Sequence, residues 1–167
     1  YASRRNEITT FLKNGGQMVL IEPEFRVVGS VVQHIAEGLD LKITHRTDVD
    51  KGGYDSYVFT EDQNHPLWKK LGGKHLKLFN GAIGGEIVSQ YDVDFSLPSQ
   101  RLASCGIDLN VVAASEIEYG SGKVLLFRLQ LRGRLNESET GKSLFARRKD
   151  PVARQLLMNM LEYCDAV

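Results

Sequence analysis

Gly120-Ser121-Gly122-Lys123 sets two glycines beside a lysine, the residue types with which a nucleotide-binding loop grips phosphate. The full pattern requires a glycine at 117 and a Ser or Thr at 124, where this chain has Ile117 and Val124. It also requires a helix after the glycines, so that free N–H groups point at the anion. Here apolar strand-like runs lie on both sides, Val111–Glu118 before and Val124–Leu131 after. The tetrapeptide therefore reads as the turn of a β-hairpin, with Lys123 directed to solvent.

Other side chains capable of chemistry are scattered. Cys105 and Cys164 match no metal or redox spacing and read as packed free thiols. His34, His45, His65 and His75 form no helical ligand pair, so zinc is not supported. Asp48, Asp50 and Asp55 lack the spacing and closing glutamate of a calcium loop. Glu22 and Glu24 follow a predicted strand at its C-terminal end, where open α/β sheets bind ligands, although acidic residues in a loop are also simply well solvated. Trp68 has a face on which a sugar ring can stack, yet its neighbours Pro66, Leu67 and Leu71 equally suit a core anchor. Glu22, Glu24 and Trp68 are thus the candidate ligand-binding residues. No catalytic set, metal site or cofactor site emerges.

The elements that would position these residues alternate. Ile8, Phe11 and Leu12 share a helical face that ends at Asn14-Gly15-Gly16, and Met18–Ile21 is an apolar run suited to a strand covered on both faces. Phe25–Glu37 returns to helical spacing and Leu39–Ile43 to alternation. This order is that of an α/β fold. Further strands are expected at Tyr57–Phe59, Leu76–Phe79, Ile87–Val93 and Arg101–Ser104, with a short helix at Asn64–Leu71. Asp150 and Pro151 are suited to the N-cap and first turn of a closing helix that runs to about Cys164, with Val152, Leu156, Leu157, Met160 and Leu161 on its apolar stripe.

The 167 residues fit one domain, 1–167, without an internal repeat or linker. Basic and acidic side chains balance at 21 each, which argues against a nucleic-acid partner, and Arg147-Arg148-Lys149 reads as a solvated face. No apolar run has the length of a membrane helix.

Three segments, "FLKNGGQMVLIEPE", "YGSGKVLLFRLQL" and "DPVARQLLMNMLEY", together resemble the class I glutamine-amidotransferase-like (flavodoxin-like) domain of glycoside hydrolase family 2 and related β-galactosidase-type proteins. Asp150, Pro151, Ala153, Leu156, Asn159 and Leu161 fit the closing-helix pattern of that group, and "NHPLWKKL" is similar to its His-Pro-Leu segment. The resemblance implies a flavodoxin-like sheet with flanking helices. It also implies that the first strand or strands are missing from these residues, because Tyr1 leads almost directly into the first helix. The nucleophile turn of an active amidotransferase would follow Met18–Ile21, but that stretch reads Glu22-Pro23-Glu24-Phe25, with neither Cys nor Ser.

What the resemblance implies is a non-catalytic accessory domain of a bacterial glycoside hydrolase. It would pack on the catalytic module of the same chain or make a homo-oligomer contact. A secreted parent would place it in the periplasm or outside the cell. Two alternatives stand beside this reading: a carbohydrate-binding module using Trp68 and the acidic strand end, and a degenerate hydrolase with Cys105 as a relocated nucleophile.

Overall fold

The computed structural model describes residues 4–21, 42–45, 58–79, 91–95, 97–106, 109–131, 134–135 and 150–165. The expected hairpin is its centre. Strand β6 (Val111–Tyr119) pairs antiparallel with β7 (Gly122–Phe127), and Tyr119 faces Gly122 across the turn. Gly120 takes a φ of +64°, a left-handed conformation that glycine adopts without a Cβ penalty. Strand β5 (Ser99–Cys105) pairs antiparallel with β6, with register irregularities between Arg101 and Ser104. The two-residue β3 (Phe59–Thr60) pairs antiparallel with β5. On the other side β1 (Gln17–Ile21) runs parallel to β7. The result is a mixed five-stranded open sheet in the order β1-β7-β6-β5-β3, with flanking helices, which places the fold in the α/β class. A separate antiparallel pair joins β2 (Lys42–His45) to β4 (Tyr91–Asp94).

Both faces of the sheet are covered, which explains the unbroken apolar run in β7. Val124 and Leu126 join Leu12, Ile117 and Tyr119 on the face beneath helix α1 (Arg5–Lys13). Leu125 and Phe127 belong to the cluster of the opposite face, with Leu67, Trp68, Leu76, Val152, Leu156 and Met160. The last six come from a 3₁₀ turn (Pro66–Trp68), helix α2 (Gly73–Phe79) and helix α3 (Pro151–Asp165). The same division appears in β1, where Val19 packs on one cluster and Met18 and Leu20 on the other.

Several expectations shift. Leu76–Phe79, predicted as a strand, belongs to α2, because an apolar alternation only four residues long does not separate a strand period from a helical one. The helix expected over Asn64–Leu71 contracts to the 3₁₀ turn, with His65 as its N-cap. The first helix buries Leu12 but leaves Phe11 exposed. Phe25–Glu37 lies outside the described residues, as do the Asp48, Asp50 and Asp55 loop and most of Ile87–Val93.

The glycines of the hairpin turn serve packing. Ser121 N–H donates to the carbonyl of Lys13 (3.3 Å) and Lys123 N–H to that of Gly16 (3.1 Å), so the turn satisfies carbonyls at the C-terminal end of α1. A Cβ on Gly122 would collide with the carbonyl oxygens of Leu12 and Gly16, and one on Gly120 would lie 2.9 Å from Lys13 Cα. Backbone atoms on both sides leave little room to relax. Gly122→Ala should therefore lower unfolding free energy by about 3 kcal/mol, whereas Ser121→Ala, at an exposed position, should change it by less than about 0.5 kcal/mol. Urea denaturation of the two variants checks this contrast.

Candidate functional site

Strand β6 buries a carboxylate. Its hairpin register sets Glu116 opposite Leu125, so the side chain lies on the face that α3 covers, and Lys123 is its diagonal neighbour on β7. Lys123 Nζ donates to Glu116 Oε1 at 2.6 Å. The other oxygen, Oε2, accepts from His65 Nε2 at 3.3 Å and from the Tyr163 hydroxyl of α3. Glu116, His65 and Tyr163 are all buried.

The surrounding elements determine these positions. His65 caps the 3₁₀ turn, and its Nδ1 accepts the Leu67 N–H at 3.2 Å. With Nδ1 acting as acceptor, the proton of the neutral ring sits on Nε2, where it is donated to Glu116. Tyr163 reaches the same carboxylate because α3 is anchored at two points. Asp150 Oδ1 accepts the N–H groups of Val152 (2.8 Å) and Ala153 (3.3 Å), and its Oδ2 accepts from the buried Arg134 at 3.3 Å. Farther along, Asn159 Nδ2 donates to the carbonyls of Leu67 (2.8 Å) and Lys69 (2.9 Å), which fastens α3 to the 3₁₀ turn.

Burial pushes the Glu116 carboxyl up, but the hydrogen bonds from Lys123, Tyr163 and His65 and the Lys123 charge outweigh it and hold the group below its ordinary range. Burial, reinforced by the Glu116 carboxylate, pushes the Tyr163 phenol above its ordinary value. Three donors thus occupy one ionised carboxylate. A carboxylate so occupied has little free capacity to take a further proton.

The residues singled out from sequence lie elsewhere. Glu22 and Glu24 fall outside the described residues. Trp68 is 2% exposed and packs in the core, so its ring offers no open face for stacking. Cys105 is fully buried and Cys164 half-buried. Burial, and then the neighbouring Asp165, raise the Cys164 thiol. Lys123, expected to face solvent, instead pairs with Glu116 while keeping 45% of its side chain exposed. Nothing local in the sequence marks Glu116, His65 and Tyr163 as one set. The available signal was a carboxylate whose register places it on a covered face of the strand, with a lysine brought diagonal to it by a two-residue turn.

The pH dependence follows from the direction of the shifts. A depressed Glu116 contributes stability that is present above the ordinary carboxylate value of 4.5 and is lost as pH falls through the lower folded value. Tyr163, being raised, contributes stability that is lost as pH rises past the ordinary phenol value of 10.0. Glu116→Ala should cost about 3 kcal/mol at neutral pH, since it leaves buried donors unpaired, and should flatten the acid limb. Lys123→Ala, removing a half-exposed partner, should cost about 1 kcal/mol. Denaturation midpoints measured from acid to neutral pH test both effects.

No protein-family model matches the chain, and no curated protein matches it. Among solved structures, it is similar to a cold-adapted β-galactosidase from Rahnella sp. R3, at a TM-score of 0.49 and 14% identity, over 97% of this chain. The chain covers 21% of that enzyme's length.

Proposed function

We propose that the chain is a non-catalytic structural domain of a larger glycoside hydrolase, with a flavodoxin-like, amidotransferase-like ancestry. The support is that the segments carrying the sequence resemblance are used for internal fastening. "YGSGKVLLFRLQL" supplies the close-packed turn and Lys123, "NHPLWKKL" supplies His65 and the carbonyls held by Asn159, and "DPVARQLLMNMLEY" supplies Asp150, Asn159 and Tyr163. The polar groups of Lys123, His65, Asp150, Asn159 and Tyr163 are engaged in contacts within the fold. In this reading the catalytic carboxylates of the parent lie outside these residues, and this domain packs on the catalytic module or on a second copy.

The cysteine-nucleophile alternative is weakened by the burial of Cys105, because a reactive thiolate needs access and a lowered pKa. Native protein treated with iodoacetamide at neutral pH should label Cys105 only as fast as the fold opens. Rapid stoichiometric labelling would restore the enzymatic reading. In the longer parent chain, Glu116→Ala should lower thermal stability and leave glycoside turnover per folded molecule unchanged. Lost turnover with the fold intact would overturn the structural assignment.

A further inference from the structure

Helix α3 carries apolar side chains on its outward side as well as on the side it buries. At 3.6 residues per turn, Arg154, Met158, Leu161 and Asp165 fall within an arc of about 60°. That stripe lies opposite the face that buries Leu156, Asn159 and Tyr163. All four of its residues are exposed, Met158 at 46% and Leu161 at 53%. Leu161, expected on the buried stripe, is thus on the other side of the helix. The alternating steps of four and three are the spacing by which one helix lays a seam against another. Met158 and Leu161 are neighbours on that seam and form its apolar centre.

The charges at its two ends select the occupant. Arg154 and Asp165 are about 16 Å apart along the axis, too far to pair within one helix. Among the described residues neither forms an ion pair, whereas the neighbouring Glu162 is held by Lys69 at 2.6 Å. A two-fold axis between Asn159 and Met160 would pair the stripe with itself. Met158 then meets Leu161 of a second copy, and Arg154 meets Asp165 of that copy. The pairs coincide because Met158 and Leu161 stand equally far from the axis, as do Arg154 and Asp165. Each contact occurs twice by symmetry. A parallel arrangement would set like charge against like at both ends, which disfavours it.

We propose that α3 joins two copies of this chain as an antiparallel helix pair. Met158 and Leu161 pack at its centre, and an Arg154–Asp165 ion pair closes each end. The inference rests on the structural-domain reading and names the partner as a second copy rather than the catalytic module. One helix stripe is a small interface, below the area of a standard stable complex, so the dimer is weak, with Kd on the order of 100 µM.

Sedimentation equilibrium of the chain in reducing buffer, from about 10 µM to about 1 mM, should show a monomer–dimer transition. Arg154→Glu and Asp165→Arg should each weaken the dimer by about tenfold, since either change turns two attractive pairs into repulsive ones. The double variant Arg154→Glu/Asp165→Arg should return to within about threefold of wild type, because the swap restores both pairs. These changes suit the fold: they put an acid in the first turn of α3 and a base in the last, as the helix dipole favours. Glu7→Lys changes net charge as much as Asp165→Arg does, but on α1 across the sheet, and should leave association unchanged. Leu161→Gln should leave the chain monomeric throughout. Circular dichroism verifies that each variant is folded. A wild type still monomeric at about 1 mM, an assembly indifferent to Leu161→Gln, or a double variant no stronger than the single ones would overturn the proposal. The structural-domain reading is decided separately, by Cys105 labelling and by turnover of Glu116→Ala.

Discussion

A carboxylate removed from water must be met by donors from whatever packs against it, and Glu116 imposes that requirement on most of this fold. It stands mid-strand in β6, on the face that α3 and the 3₁₀ turn cover. Its three partners lie 7, 47 and 51 residues away in sequence, on the hairpin, the closing helix and the turn before α2. Each partner is useful only if its own element is correctly seated. The Asp150 cap sets the start of α3, Asn159 locks it to the 3₁₀ turn, and the His65 Nδ1 bond to Leu67 keeps Nε2–H directed at the carboxylate. Apolar packing would tolerate a sliding or rotated α3. A carboxylate with three specific donors would not.

The opposite face is held by a different device. Close backbone approach at Gly122 lets the hairpin turn meet the end of α1, and the N–H groups of Ser121 and Lys123 satisfy carbonyls there. The same Gly-Ser-Gly-Lys turn therefore serves both layers, its backbone toward α1 and its lysine toward Glu116. That double role explains the glycines and the lysine without a nucleotide. Among the described residues, Glu116, His65, Lys123 and Tyr163 are engaged in closing the structure.

Much of this organisation was legible in the sequence. The failed phosphate-loop pattern gave the hairpin, the unbroken apolar run at Met18–Ile21 gave a strand covered on both faces, and Asp150-Pro151 gave the start of α3. These signals are local, set by turn chemistry, capping and periodicity. Helix α2 was misread because Leu76–Phe79 is too short to show its period. Glu116 was passed over because partners 47 and 51 residues distant leave no local mark. Trp68 was equally ambiguous: the sequence shows an indole among apolar neighbours, but not which way its edge and face lie once α3 has closed over them.

Native-state hydrogen exchange tests the central claim, that the Glu116 carboxylate joins α3 to the sheet as one cooperative unit. Amides of α3 and of β6 and β7 should open with the same free energy in the wild type. In Glu116→Gln, which keeps the shape and removes the charge, the α3 amides should open separately and at lower free energy than those of the strands. If α3 already opens independently in the wild type, with protection unchanged by Glu116→Gln, the carboxylate is not the fastening and the account is contradicted.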